Sequence, residues 1–168
     1  MTLTLSTPRL NLYQVRDKLS KKQESQLLLS IVVELLSPKV VQNLPPYFHN
    51  IDSITDAKIW LDHMVDESQL FVIAQKSSAL TIGFLFIYEQ DNGEAHIGYL
   101  LGEDYWQKGF ASELLSAFIE YATKEQKYSK LIGGVDKSNK SSAYLLEKLG
   151  FKVQGSSAGE VNFYEYIL

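Results

Sequence analysis

The chain has 168 residues, 45% of them hydrophobic and 12% aromatic, enough for one hydrophobic core and short for two, so residues 1-168 are expected to form a single domain. Net charge is −4 and Arg9 and Arg16 are the only arginines; the lysines are scattered rather than massed, which argues against a nucleic-acid surface. The absence of cysteine removes disulfides, thiolate metal sites and a thiol nucleophile together.

At the amino terminus, MTLTLSTPRL lacks the basic, apolar and small-residue layout of a signal, and no apolar run approaches membrane-spanning length. A cytoplasmic protein with no membrane partner is expected. Residues 3 to 15 alternate loosely and read as a first strand. LSKKQESQLLLSIVVELL then places Leu28, Ile31, Val32, Leu35 and Leu36 at helical spacing, with Pro38 as the stop. Leu29 and Val33 fall outside that stripe, which suits either a helix buried on two sides or one that walls a pocket or a dimer contact.

SITD from Ser53 reads as a capping box for a second helix with Trp60, Met64 and Val65 near one face. LFVIAQ, TIGFLFIYE and EAHIGYLL follow, three runs rich in branched and aromatic residues. Asn92-Gly93 joins the last two and supplies the positive φ angles of a tight turn, so an antiparallel meander is expected. The order then becomes helix, strand, helix, strand: FASELLSAFIEYA, KLIGGVD, SSAYLLEKL closed by Gly150, and the strand candidates FKVQG and VNFYEYIL. Pattern alone therefore implies a mixed α/β domain with an antiparallel first half.

Tyr105 to Leu115, YWQKGFASELL, sets a glycine and a lysine just ahead of an amphipathic helix. A helix amino terminus presents free N–H groups and partial positive charge, so the amides from Gln107 to Ser112 suit a phosphate. Gly109 allows close backbone approach, Ala111 keeps the first turn clear and Lys108 adds charge. The same features also describe an ordinary helix start. Lys108 precedes the glycine and no Gly-Lys-Ser/Thr follows, so this is neither a Walker-type loop nor a G-x-G-x-x-G turn.

A second cluster, NKSSAYLLEKLGF from Asn139 to Phe151, stands at the same place in the next strand–helix unit. Together, Trp106-Gln107-Lys108-Gly109-Phe110-Ala111 and Asn139-x-x-Ser142 with Glu147-Lys148-Leu149-Gly150-Phe151 resemble the two motifs of the GCN5-related N-acetyltransferases (GNAT). TPRLNLYQVR and HIGYLL are similar to the ribosomal-protein-alanine acetyltransferase-like branch. The resemblance implies the acyl-CoA N-acyltransferase (GNAT) fold: a central, mixed, mostly antiparallel twisted sheet of about seven strands flanked by four helices. It departs at Trp106, where many members carry Gln or Arg, and at Leu146, where many carry the tyrosine proposed to protonate the leaving thiolate.

The resemblance further implies acetyl-CoA as co-substrate, with no metal, held by Trp106, Gln107, Lys108, Gly109, Phe110, Ala111 and Ser112 at the loop. Backbone groups near Leu100 and Leu101 would take the pantetheine arm, and Asn139, Ser142 and Lys148 of the last helix would also bind the cofactor, Asn139 capping that helix as well. An alkyl amine titrates near pH 10, so about one molecule in a thousand is free base at neutral pH and a base contributes perhaps 10²- to 10⁴-fold. His96, where the family often has a glutamate, is the expected base; the plain alternative is a strand histidine paired to a neighbour, and Glu94 is the fallback. Ser142 and Tyr144 are the hydroxyls available to the leaving thiolate. The expected activity is transfer of an acetyl group to a primary amine, of a protein N-terminus or a small molecule, by direct attack in a ternary complex. A non-catalytic acyl-CoA-binding module is the alternative, and a monomer or homodimer is expected.

Overall fold

The computed structural model describes residues 5–155 and 158–168. Its centre is a seven-stranded sheet of order β1-β2-β3-β4-β5-β7-β6. The strands are β1 (Leu10–Gln14), β2 (Gln69–Gln75), β3 (Thr81–Glu89), β4 (Glu94–Leu101), β5 (Lys130–Asp136), β6 (Lys152–Val153) and β7 (Val161–Ile167). All neighbours run antiparallel except β4 and β5. The expected first strand, 3 to 15, is shorter: β1 ends at Gln14, and its residues 3 and 4 lie outside the described residues.

Among the described residues six α-helices flank the sheet rather than four: α1 (Val15–Leu19), α2 (Lys22–Leu35), α3 (Pro38–Val41), α4 (Ile54–Glu67), α5 (Phe110–Glu125) and α6 (Lys140–Lys148). The two additions, α1 and α3, span a turn or so each, too short to show a periodicity of 3.6. Pro38 ends α2 as expected and also opens α3 from its first turn, where a missing N–H is harmless. Ser53 caps α4 by accepting from Asp56 N at 3.1 Å. The turn between β3 and β4 takes a positive φ only at Gly93, while Asn92 Oδ1 accepts from Glu94 N at 3.0 Å. At the end of α6, Gly150 (φ +99°) sends its N–H to Glu147 O, and Phe151 N–H reaches Leu146 O, both at 3.0 Å.

Alternation along the strands divides the core into two layers. One face packs Ala95, Ile97, Leu101, Leu131 and Val135 against Phe110, Leu114, Leu115 and Phe118 of α5 and Leu146 of α6. The other packs Val72, Phe84, Phe86 and Leu100 against Leu28, Val32 and Leu35 of α2 and Trp60, Leu61 and Met64 of α4. Trp60 meets the rings of Phe48, Phe84 and Phe86 edge-on at 5.6–6.3 Å between centroids. Leu29 is buried and Val33 half-buried, so α2 packs on two sides rather than offering a free apolar wall.

Candidate active site

The site is built where β4 and β5 part. Their parallel register runs from Glu94↔Lys130 to Ile97↔Gly133 and stops, although β4 continues to Leu101 and β5 to Asp136. A wedge opens beyond Ile97. The hydrogen bonds Gln90 N–H to Glu94 O and Gly102 N–H to Ile82 O, both 2.9 Å, show that even-numbered residues of β4 turn their backbone polar groups to β3. The odd-numbered Tyr99 and Leu101 therefore turn theirs toward the wedge. Leu100, named by the resemblance, directs its backbone to β3, and Leu101 O accepts from the Trp106 indole N–H at 2.8 Å. Trp106 thus ties the loop to the end of β4.

From Leu101 the chain passes through a 3-10 turn, Glu103–Tyr105, into α5. Gln107 (φ +57°) and Gly109 (φ +80°) are both left-handed, and among the described residues no side chain caps the first turn of α5, so its amides stay uncapped in an exposed loop. That is a cradle for an anion of the kind the sequence suggests at Gln107 to Ser112. Lys108 is exposed and donates to Asp104 O at 2.6 Å, back toward the preceding turn.

One support of this loop comes from TPRLNLYQVR, for which the sequence suggests no role at the site. Arg9 stacks on Phe110 at 4.3 Å from the ring centroid, donates from Nη1 to Lys108 O at 2.9 Å and from Nε to Glu113 at 2.6 Å. Glu113 also accepts from Arg9 N at 2.9 Å and from the Thr7 hydroxyl. Burial works to raise the Glu113 carboxyl, but the hydrogen bonds from Thr7 and Arg9 and the guanidinium charge outweigh it and hold the group below the usual carboxylate range. Thr7-x-Arg9 looks like a strand lead-in, and only the fold brings it to the start of α5.

His96 projects from β4 to the α2–α4 side of the sheet, half-buried, its ring edge-on to Phe163 at 6.4 Å between centroids. Glu94, on the same face, is engaged: Lys130 Nζ lies 2.8 Å from it and 3.1 Å from Glu165. The hydrogen bond from Lys130 holds the Glu94 carboxyl low, so it is a weaker candidate for a base than a free glutamate would be. On the opposite face, Asn139 Oδ1 caps α6 by accepting from Ser142 N at 3.2 Å. Ser142 Oγ lies 3.3 Å from the hydroxyl of Tyr99. Tyr144 stands 67% exposed, outside the core. Lys148 is exposed in the last turn of α6, about 13 Å along the helix from Asn139. Leu146 is buried at the start of the wedge, its Cδ1 only 2.8 Å from where a Cβ on Gly133 would stand.

The wedge, the left-handed loop and the uncapped α5 lie together at one end of the parallel pair, an arrangement suited to an extended acyl carrier with a diphosphate. Residues 28–152 match the acetyltransferase (GNAT) domain. The chain belongs to the GNAT acetyltransferase family. It is 40% identical over 75 residues to the N-acetyltransferase p20 of Bacillus licheniformis, covering 45% of this chain and 42% of that protein. It is 26% identical over 127 residues to the prophage-derived N-acetyltransferase YokL of Bacillus subtilis, covering 74% and 71%. Among solved structures, RimL, a ribosomal alpha-N-protein acetyltransferase in complex with coenzyme A, superposes with a TM-score of 0.78 over 99% of this chain and 98% of that one, at 16% identity.

Proposed function

We propose that the protein is an acetyl-CoA-dependent N-acetyltransferase, a single domain over residues 1-168 that transfers an acetyl group to a primary amine by direct attack in a ternary complex. The observation that carries this reading is the order of features along one stretch: β4 leaves β5 after Ile97, and within a dozen residues the chain forms the left-handed Gln107–Gly109 loop at the uncapped start of α5. A diphosphate fits the amides from Gln107 to Ser112, and an extended arm fits beside the odd-numbered backbone of β4. The relative RimL was solved with coenzyme A, which supports the same choice of co-substrate. No helix among the described residues is long and apolar enough to cross a membrane, and the proposed acceptor is the amine of a protein N-terminus or of a small molecule, met in the cytoplasm.

His96 serves as the base. Residue parity along β4 sends its imidazole to the α2–α4 side, so the amine approaches from there and passes its proton to an imidazole nitrogen. The second hydroxyl-bearing side of the wedge, with Ser142, faces the departing sulfur. Attack and departure then occur on opposite faces, which keeps the base and the thiolate apart. The chain has no cysteine to form a covalent acetyl-enzyme, consistent with one-step transfer.

Free-thiol release from acetyl-CoA with a panel of N-terminal peptides, polyamines and small amines tests this. Turnover with at least one amine, and loss of the acid limb of its pH profile in His96→Ala, are the expected results. Binding of acetyl-CoA without turnover across the panel would make the protein an acyl-CoA-binding module instead.

A further inference from the structure

Tyr99 lies on β4 just past Ile97, the last residue paired to β5, and its side chain points to the α5–α6 side, where it packs against the core. Its hydroxyl is 3.3 Å from Ser142 Oγ, at the first turn of α6. Among the described residues this is the one side-chain hydrogen bond that joins β4 to α6 across the mouth of the wedge. Leu146, one turn further along the same face of α6, offers no polar atom.

Two hydroxyls in contact have one hydrogen bond between them and one hydrogen left over. A phenol is far more acidic than an alkyl alcohol, so the favoured arrangement has Tyr99 O–H donating to Ser142 Oγ. The Ser142 hydrogen is then free to turn into the wedge. Burial pushes the Tyr99 phenol up, with the Ser142 contact opposing in part, so the phenol keeps its hydrogen throughout the neutral range and remains a donor.

We propose that Tyr99 is a positioning residue for departure of the thiolate: it orients and polarises Ser142, whose hydroxyl hydrogen-bonds the sulfur of coenzyme A. The inference rests on the acetyltransferase reading above. In the step itself the nitrogen–carbon bond forms, the carbon–sulfur bond breaks with its electron pair on sulfur, and the amine proton passes to His96. The thiolate accepts the Ser142 hydrogen bond, strengthened by the Tyr99 hydrogen bond behind it, and takes up a proton from water as coenzyme A leaves. Tyr99 itself loses no proton.

The test needs only coenzyme A, not the acceptor. The thiol pKa of bound coenzyme A is followed by the NMR shift of the isotope-labelled methylene carbon next to sulfur, in the wild type, Tyr99→Phe, Ser142→Ala and the double variant. Tyr99→Phe keeps the ring and its packing. The expected result is a bound thiol more acidic than free coenzyme A in the wild type. Its thiolate equilibrium weakens about threefold to tenfold in Tyr99→Phe and about tenfold or more in Ser142→Ala. The double variant should match Ser142→Ala, because Tyr99 acts through the serine. An unchanged thiol in Tyr99→Phe, or a double variant shifted further by the full Tyr99→Phe increment, overturns the inference alone. Failure of the wild type to bind coenzyme A overturns the acetyltransferase reading and this inference with it.

Discussion

Glu113 fastens the approach to β1 onto the start of α5, and its removal measures that clamp. The carboxylate accepts from the Thr7 hydroxyl, from Arg9 N and from Arg9 Nε. Hydrogen bonds to a charged group contribute about 1.5–3 kcal/mol each. The Arg9 side chain is 45% accessible, so water replaces much of its share, whereas Thr7 is only 6% exposed and its hydroxyl, which still accepts from Leu10 N at 2.9 Å, loses its carboxylate acceptor. A net loss of about 2–3 kcal/mol follows for Glu113→Ala, which for a chain of this size corresponds to a melting temperature lower by roughly 4–12 °C. Glu113→Gln keeps one acceptor oxygen and should lose about half as much. The sign with pH is set by the depressed folded-state pKa: the contribution is complete above the unfolded value of about 4.3 and is lost as pH falls through the lower folded value. Thermal melts from neutral pH into the acid range should therefore show a shallower acid decline in Glu113→Gln than in the wild type. A Glu113→Ala melting temperature within about 2 °C of wild type, or equal acid declines, would refute the reasoning.

Gly109→Ala places a Cβ in a left-handed conformation, which costs about 1–2 kcal/mol, and sets it 3.3 Å from Arg9 Nη2; calorimetry should find acetyl-CoA bound about tenfold more weakly. Leu146→Tyr forces a larger ring into the packed contact over Gly133 and should destabilise the protein by about 1–3 kcal/mol in denaturant unfolding. Lys130→Met removes the cation shared by Glu94 and Glu165 and leaves two carboxylates facing each other; the Glu94 carboxyl should titrate higher, as read by NMR of its side-chain carbonyl, and an unmoved titration would contradict the pairing.

Most of the strands and the longer helices were legible because their signals are local. EAHIGYLL alternates, and the alternation already sets His96 and Tyr99 on opposite faces. FASELLSAFIEYA carries its 3.6-residue stripe plainly, and α5 occupies that segment. The short α1 and α3 escaped because one turn of helix holds no stripe to read. Within the site, the left-handed turn at the start of α5 could be seen from Gly109, whereas the Arg9–Glu113 clamp joins residues 104 apart in sequence and carries no spacing signal.

By itself, then, the sequence determined the element order, the face each strand residue takes and the loop chemistry at the start of α5, because φ preferences and side-chain periodicity act over a few residues. The tertiary structure decided where β4 parts from β5, that Lys130 occupies Glu94, that Leu146 fills the wedge's inner end, and that Tyr99 meets Ser142. Those outcomes depend on pairing register and on which helix packs over which strand. Both are settled by the whole core rather than by any one segment.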